Sequence, residues 1–375
     1  MGDKVKNYKY KTLTNVAVRL RDDLNDHYFV LLYAYNGTGK TRLSMEFKDR
    51  SKKRKNNPES DTLYYNAFTE DLFHWNNDLD NDTERYLIIN GNSKFFNGFR
   101  ELALEEKIFS YLERYSDFNF KINYDEWKIV FSKQVNNPRH RPNTEEPEFI
   151  IQDYIKVSRG EENIFIWCIF LAIAELVIDD DGTGPYNWVK FIYIDDPISS
   201  LDDNNAIAVA TDLAKLLKKG KDKVKIVVSS HHSLFYNVMY NELKKIEHKS
   251  HFLHKNGTDG YVLRATDDTP FFHHVALLSE LRLASDTDKI NTYHFNMLRS
   301  ILEKTSTFFG YDDFSNCING IEDEVLFSRA LNLLSHGKYS IYQPVEMNKD
   351  NKELFNRILK AFLKKYEFQL PEIFE

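Results

Sequence analysis

Apolar and polar positions fall into two regimes along this chain. Up to about residue 265, short apolar runs rich in β-branched and aromatic residues (28–35, 191–194 and 224–229) are each followed by a segment able to form a helix. That alternation predicts a parallel sheet with crossover helices. Beyond Thr269-Pro270 the β character fades. Segments 277–284, 293–309, 324–335 and 354–366 carry apolar residues at helical spacing instead. The pattern predicts an α/β domain over 1–265 and a small, mostly α-helical domain over 266–375. There is no internal repeat. The one long polar stretch, 48–61, holds Lys48, Arg50, Lys52, Lys53, Arg54 and Lys55 and reads as a solvated loop after a helix.

Composition narrows the class. With 42% hydrophobic and 14% aromatic residues among 375, the chain can bury a sizeable core, and 29% charged residues fit a soluble globular protein. No apolar run reaches the roughly eighteen residues a membrane span needs, and the N-terminal MGDKVKNYKYK lacks a signal-peptide core. Two cysteines, Cys168 and Cys317, exclude a disulfide scaffold and a cysteine-built zinc site and fit a reducing cytoplasm. The net charge of −7 gives no global attraction to nucleic acid. Any such contact needs a local basic patch or an oligomer ordered by nucleotide.

The first chemical signal follows the apolar run 28–33. Ala34-Tyr35-Asn36-Gly37-Thr38-Gly39-Lys40-Thr41 is a glycine-rich loop with Lys-Thr opening a helix, the layout of a phosphate-binding P-loop. Small residues let successive N–H groups face phosphate oxygens. Lys40 adds a point charge at the β- and γ-phosphates, and the Thr41 hydroxyl suits Mg²⁺. Ala34 replaces the usual first glycine and serves there with a negative φ. A second strand run, 191–194, ends in Asp195-Asp196. A carboxylate at a strand end beside a P-loop manages the metal and the attacking water, with Asp195 on the metal side and Asp196 polarising water. Ser199-Ser200-Leu201-Asp202-Asp203 comes next, and the third run ends in Ser229-Ser230-His231-His232. Upstream lies Ser158-Arg159-Gly160-Glu161.

In this order and spacing the set resembles the ABC-type ATPase heads. Residues 34–41 resemble the Walker A loop, Ser158, Gly160 and Glu161 a variant signature motif, and Asp195-Asp196 the Walker B end. Asp202 falls in the D-loop and His231 at the switch histidine. The resemblance implies a head-to-tail dimer that sandwiches each nucleotide between one chain's P-loop and the other's signature. Asp196 stands where that family generally has Glu, so slow turnover is expected. No clear Q-loop glutamine is present; Asn66 or Glu70 could substitute.

In the tail, Arg299 and Glu303 lie four apart on one predicted helix face, and Arg329, Asn332 and His336 share a face of another. Together they hold what metal-free RNA cleavage needs: a base for the 2′-hydroxyl, an acid for the leaving 5′-oxygen and a guanidinium for the phosphorane. Histidine titrates near neutrality, and arginine's fork fits phosphate. The whole order, including Tyr35 through Ser44 with Arg42, 64–73, 194–204, 234–238, Tyr293-His294-Phe295 and Ser335-His336, resembles the PrrC-type anticodon nucleases.

That resemblance implies an ABC-like ATPase fused to a C-terminal nuclease that cuts lysine tRNA 5′ to the wobble nucleotide, leaving a 2′,3′-cyclic phosphate and a 5′-hydroxyl. It carries a catalytic triad over to Arg299, Glu303 and His336. The spacing Arg329-x6-His336 also resembles the HEPN ribonuclease motif. GTP or ATP, and dTTP, are the implied nucleotides, with Mg²⁺ at the ATPase site only. The implied partners are tRNA through its anticodon stem-loop, a type I DNA restriction-modification enzyme that keeps the nuclease latent, and further copies of the chain, a dimer or higher. The implied setting is the bacterial cytoplasm, with a toxin role in phage exclusion and no membrane. From residue 266 onward 17 acidic residues face 12 basic ones, so the tail is no general RNA-binding surface. An SMC/Rad50-like ATPase is the rival, but the 118 residues between Lys40 and Ser158 leave no room for long coiled-coil arms. A defence ATPase whose tail is a partner-binding module is the other.

Overall fold

The computed structural model describes residues 7–51, 60–66, 72–78, 83–96, 98–102, 104–141, 146–198, 203–255, 260–267, 273–318 and 346–366. They divide into two compact units, one made of residues 8–34 and 39–263 and the other of residues 1–7, 35–38 and 264–375.

The larger unit is built on seven strands. In chain order these are β1 (Asn7–Tyr10), β2 (Phe29–Ala34), β3 (Thr62–Asn66), β9 (Phe191–Asp195), β10 (Lys225–Ser230), β11 (His248–Lys255) and β12 (Tyr261–Ala265). Their spatial order is β1-β12-β11-β2-β10-β9-β3, and the five from β11 to β3 run parallel. Every residue of β2 is buried. A strand covered on both faces is why the sequence shows continuous apolar runs there. Crossovers include α1 (Leu13–Asp26), α2 (Lys40–Asp49), α5 (Asp203–Gly220) and α6 (Ser233–Leu243). Leu20, Leu24, Leu43 and Phe47 from α1 and α2 close the core over Val30, Leu32 and Tyr193.

A second sheet was not foreseen from the apolar pattern. Strands β4 (Phe73–Asn76), β5 (Tyr86–Ile89), β7 (Lys128–Asn136) and β6 (Asn119–Asn123) form an antiparallel sheet in that spatial order, with β8 (Phe149–Asp153) paired to the far end of β7. Between the sheets runs α4 (Arg159–Asp179), a 21-residue helix apolar on all sides. Phe165 meets Phe118, Phe120 and Phe131, whereas Trp167 and Phe170 meet Tyr65 of β3. A helix apolar all round is one buried all round.

The smaller unit is helical. Its described helices are α7 (His273–Asp286), α8 (Thr292–Phe309) and α9 (Lys349–Lys365). Leu277, Leu281, Phe295, Leu298, Leu302, Phe314, Phe355, Ile358 and Phe362 form its core. The set Phe355, Ile358, Leu359 and Phe362 on α9 is the spacing of one buried helix stripe. Gly310, at φ 70°, ends α8 in the left-handed cap that glycine adopts without a Cβ penalty. Tyr35 packs against this unit's apolar cluster. Among the described residues no helix is long and apolar enough to cross a membrane.

Candidate functional site

The site begins where β2 stops. Ala34 is buried and keeps a negative φ, as its place in the loop requires. Gly37 and Gly39 turn at φ 80° and 106°, in the region that favours glycine. A Cβ at Gly39 would also come within 3.2 Å of Leu13 Cδ1. Asn36, Gly37, Thr41 and Arg42 are exposed, while Thr38 and Lys40 are buried. The Lys40 ammonium turns inward, donating to the Ala34 carbonyl at 3.1 Å and pairing with Asp196 Oδ2 at 3.0 Å.

Parallel register brings the second half of the site alongside. Ser229 of β10 pairs with Asp195 of β9, and the Ser229 hydroxyl donates to Asp195 Oδ1 at 2.7 Å. The Thr41 hydroxyl also donates to Asp195. Burial, aided by the neighbouring Asp196, pushes the Asp195 carboxyl up to about 6. Asp196 takes the opposite direction. Burial pushes it up, but the His231 hydrogen bond and the Lys40 charge outweigh burial and hold it below the carboxylate range.

Asp196 sits at φ 48°, a left-handed conformation uncommon for a residue with a side chain, and its N–H donates to the Ser229 carbonyl at 2.9 Å. Backbone strain of that kind costs on the order of 1–3 kcal/mol and is found at functional sites. Here the turned backbone presents Asp196 Oδ1 to both His231 donors, the backbone N–H and Nδ1, each at 2.8 Å. An Nδ1 that donates to the carboxylate leaves Nε2 as the ring nitrogen not engaged by Asp196. His232 has a structural task, its Nδ1 accepting from Phe235 N as the N-cap of α6. Asn66, at the end of β3, is in register with Asp195 and donates to the Tyr64 hydroxyl. Ser229 is the member that sequence reasoning passed over. It stands in the third apolar run without a role there and joins the site only through the register of β10 against β9.

A hydroxyl, a carboxylate and a buried ammonium are the hard-oxygen and cationic groups that Mg²⁺ and phosphate take. Thr41 and Asp195 therefore fit a Mg²⁺ ion and the loop 36–40 a nucleotide's phosphates. When bound, the ion neutralises charge on the β- and γ-phosphates.

The signature-like residues lie elsewhere on the larger unit. Ser158 caps α4 reciprocally: its Oγ accepts from Glu161 N at 3.3 Å, and Glu161 Oε2 accepts from Ser158 N at 2.7 Å. Ser158, Gly160 and Glu161 border an open depression shared with Arg114, Asp117 and Asn205, and no P-loop residue lines it. A Cβ at Gly160 would meet nothing within 4 Å. Asp202 and Glu70 lie outside the described residues.

In the helical unit, Arg299 Nε donates to Glu303 Oε1 at 2.7 Å on α8, and the Arg299 guanidinium lies 5.6 Å from the Phe314 ring. Arg329, Asn332 and His336 lie outside the described residues.

An anticodon nuclease from Escherichia coli is 33% identical to this chain over 348 residues, covering 83% of this chain and 82% of that protein. The chain belongs to the anticodon nuclease family. This chain also matches the family model of an AAA domain over residues 150–364, in agreement with its P-loop ATPase fold. A solved structure, "Crystal structure of the SmcHead bound to the C-winged helix domain of ScpA", is 11% identical and covers 64% of this chain and 90% of its own, with a TM-score of 0.29. That distant likeness carries no argument.

Proposed function

We propose that this member of the anticodon nuclease family is a nucleotide-gated endoribonuclease that cuts tRNA in the anticodon loop. The observation that carries the reading is the 33% identity to an anticodon nuclease across most of both chains. The Lys40–Asp196–His231 chain beside the P-loop, buried at Lys40 and half-buried at the other two, supports the nucleotide-gating half. Lysine tRNA is the proposed substrate, cut 5′ to the wobble nucleotide.

The chemistry assigned to the helical unit needs no metal ion. A base, Glu303 or His336, takes the proton from the 2′-hydroxyl. The 2′-oxygen then bonds to phosphorus as the bond to the 5′-oxygen breaks. An acid, for which His336 is proposed, returns a proton to that 5′-oxygen. The products are a 2′,3′-cyclic phosphate and a 5′-hydroxyl, and Arg299 offsets charge on the phosphorane. Arg329 and Asn332 are proposed beside His336.

GTP or ATP, with dTTP as a further ligand, is proposed for the P-loop, together with Mg²⁺. A head-to-tail assembly, in which a second copy supplies the signature, is proposed from the order of the P-loop and signature-like motifs along the chain. Latency under a type I restriction-modification enzyme, and release in the bacterial cytoplasm during phage infection, complete the proposal.

End-mapping of total tRNA incubated with the full chain, Mg²⁺ and GTP or ATP, beside His336→Ala, tests it. Breaks confined to one anticodon loop, bearing cyclic phosphate ends and absent from the variant, are expected. Intact tRNA under every nucleotide condition would overturn the reading.

A further inference from the structure

The helical unit carries an aromatic cluster that none of the chemistry above employs. At the C-terminal end of α8, Phe308 is 83% exposed, Phe309 49% and Tyr311 39%. Water-facing rings at this density are unusual for a surface that has nothing to bind. The rings are also ordered. Phe309 lies within 25° of parallel to both Tyr311 and Tyr366, at centroid distances of 5.8 and 5.3 Å, and Phe308 stands perpendicular to Phe309 at 5.1 Å. Tyr366 in turn is anchored on Phe362 of the core. Phe308 thus projects from a braced aromatic base.

Two further features choose the ligand. First, the exposed strip of α8 runs through Glu303, Lys304 and Thr307 to Phe308 without a break. Phe308 lies five positions beyond Glu303, about 7.5 Å along the helix axis. Second, ammonium groups border the rings. Lys304 precedes Phe308 by one turn, Lys364 and Lys365 are exposed at the end of α9, and the Lys365 ammonium, held by a 2.7 Å bond to the Asn316 carbonyl, lies 5.7 Å from the Tyr366 ring. Asp312 and Asp313 follow on the other side, and Asp313 is engaged with Ser315. Exposed rings flanked by cations are how proteins hold unpaired bases: the ring stacks on the base and the cation meets the phosphate.

We propose that Phe308, braced by Phe309 and Tyr311, is a stacking platform for unpaired RNA bases, and that it seats a strand across the Arg299–Glu303 strip. The inference rests on reading this chain as an RNA-cutting enzyme. It adds a binding residue to that reading, one that fixes where the strand lies and takes no part in moving protons.

The test uses the full chain with three substitutions at Phe308, whose exposure leaves the fold untouched. Phe308→Ala removes the ring, Phe308→Leu keeps apolar bulk without a π-face, and Phe308→Trp enlarges the face. Binding of a fluorescent anticodon stem-loop and of a single-stranded oligouridine is followed by anisotropy, beside KM and kcat for cleavage. Phe308→Ala and Phe308→Leu should weaken binding and raise KM by roughly tenfold or more, with kcat changed less than about twofold, while Phe308→Trp binds at least as tightly as the parent. Unchanged binding and KM in Phe308→Ala overturn the platform and leave the nuclease reading standing. Full function in Phe308→Leu overturns stacking as the cause. Sedimentation that shows Phe308→Ala falling to smaller assemblies, with binding lost in step, makes the patch an interface between copies and also overturns the proposal. A parent protein that binds oligouridine through Phe308 yet cuts no tRNA overturns the nuclease reading and supports the platform.

Discussion

The chain holds two charge constellations that are made in opposite ways. Lys40, Asp196 and His231 come from three elements far apart in sequence and meet only because β2, β9 and β10 are neighbours in one parallel sheet. Lys40 is buried and Asp196 mostly so, and these two charges find their partners inside the protein. Arg299 and Glu303 come from consecutive turns of one helix, and Glu303 is 48% exposed. Water would serve either of them as well, and an exposed pair of this spacing is worth about 0.3–0.5 kcal/mol. The first constellation is part of the fold, whereas the second is almost independent of it. The second is the pair for which a part in chemistry is proposed.

The sharpest way to break this contrast is to cut each constellation once and read both stability and activity. Glu303→Gln should lower anticodon cleavage by about 10²–10⁴-fold, the range for loss of a general acid or base, while stability changes by less than about 0.5 kcal/mol. Lys40→Met should do the reverse within the larger unit. It strands the Asp196 carboxylate beside His231 alone, and breaking a buried pair costs about 3–5 kcal/mol. Nucleotide binding, followed by calorimetry, should be lost with it. A Glu303→Gln protein that is destabilised yet still cuts tRNA at the parent rate would make the pair a structural one.

The two constellations also differ in how far the sequence discloses them. Arg299 and Glu303 are readable from spacing alone, because an α-helix fixes which residues are neighbours. The P-loop and the Asp195-Asp196 strand end are readable because strands covered on both faces leave long apolar runs, and each run ends where its chemistry starts. Ser229 is hidden because its partner, Asp195, is set by the register between two strands, a tertiary quantity. The left-handed turn at Asp196 is hidden for a related reason: nothing in an aspartate announces positive φ, and the bonds to Ser229 and His231 impose it. The antiparallel sheet escaped for want of apolar contrast. Its strand β6, Asn-Phe-Lys-Ile-Asn, alternates over only five residues, and β8 is exposed throughout. The sheet leans on α4 through Phe120 and Phe131, which meet Phe165, and the all-round apolar surface of α4 is its clearer trace.

Acid distinguishes the units by a smaller effect. His294 and Glu280 of the helical unit are both moved by burial into the mildly acidic range. Burial drives His294 down to about 4 from 6.5, and burial drives Glu280 up to about 7 from 4.5. The signs oppose. His294 binds its proton more readily unfolded than folded, so its contribution is complete above 6.5 and is lost as pH falls toward 4, by up to ~3 kcal/mol. Glu280 binds its proton more readily when folded, so it favours the folded unit increasingly as pH falls from about 7 to 4.5. In the larger unit, burial raises Asp23 but bonds from His251 and Arg19 prevail and hold it low, so its contribution persists through this window and is lost only below the ordinary carboxylate range. Protection of α8 amides, with exchange rates divided by the intrinsic rate at each pH, should therefore change little between pH 6.5 and 4.5 in the parent, fall steadily with pH in Glu280→Gln and rise in His294→Gln. Equal behaviour of all three proteins would show that neither group is buried as described.

The smallest expected effect is at Ser158, where one side chain is asked to do two jobs. As the cap of α4 it satisfies the Glu161 N–H, and replacing a capping serine with alanine costs typically ~1 kcal/mol. As a signature-like residue it would meet a nucleotide held by another copy. Asparagine and aspartate cap helices as well as serine does, but aspartate sets a negative charge where a phosphate would come. Ser158→Ala should therefore lose about 1 kcal/mol and hydrolyse nucleotide slowly, Ser158→Asp should keep its stability and hydrolyse more slowly still, and Ser158→Asn should stay near the parent in stability. Thermal unfolding and phosphate release, measured on the same three proteins, separate the roles. Hydrolysis that tracks stability across the set would make Ser158 a cap and nothing more, and the depression around Gly160 would then need no second copy to complete it.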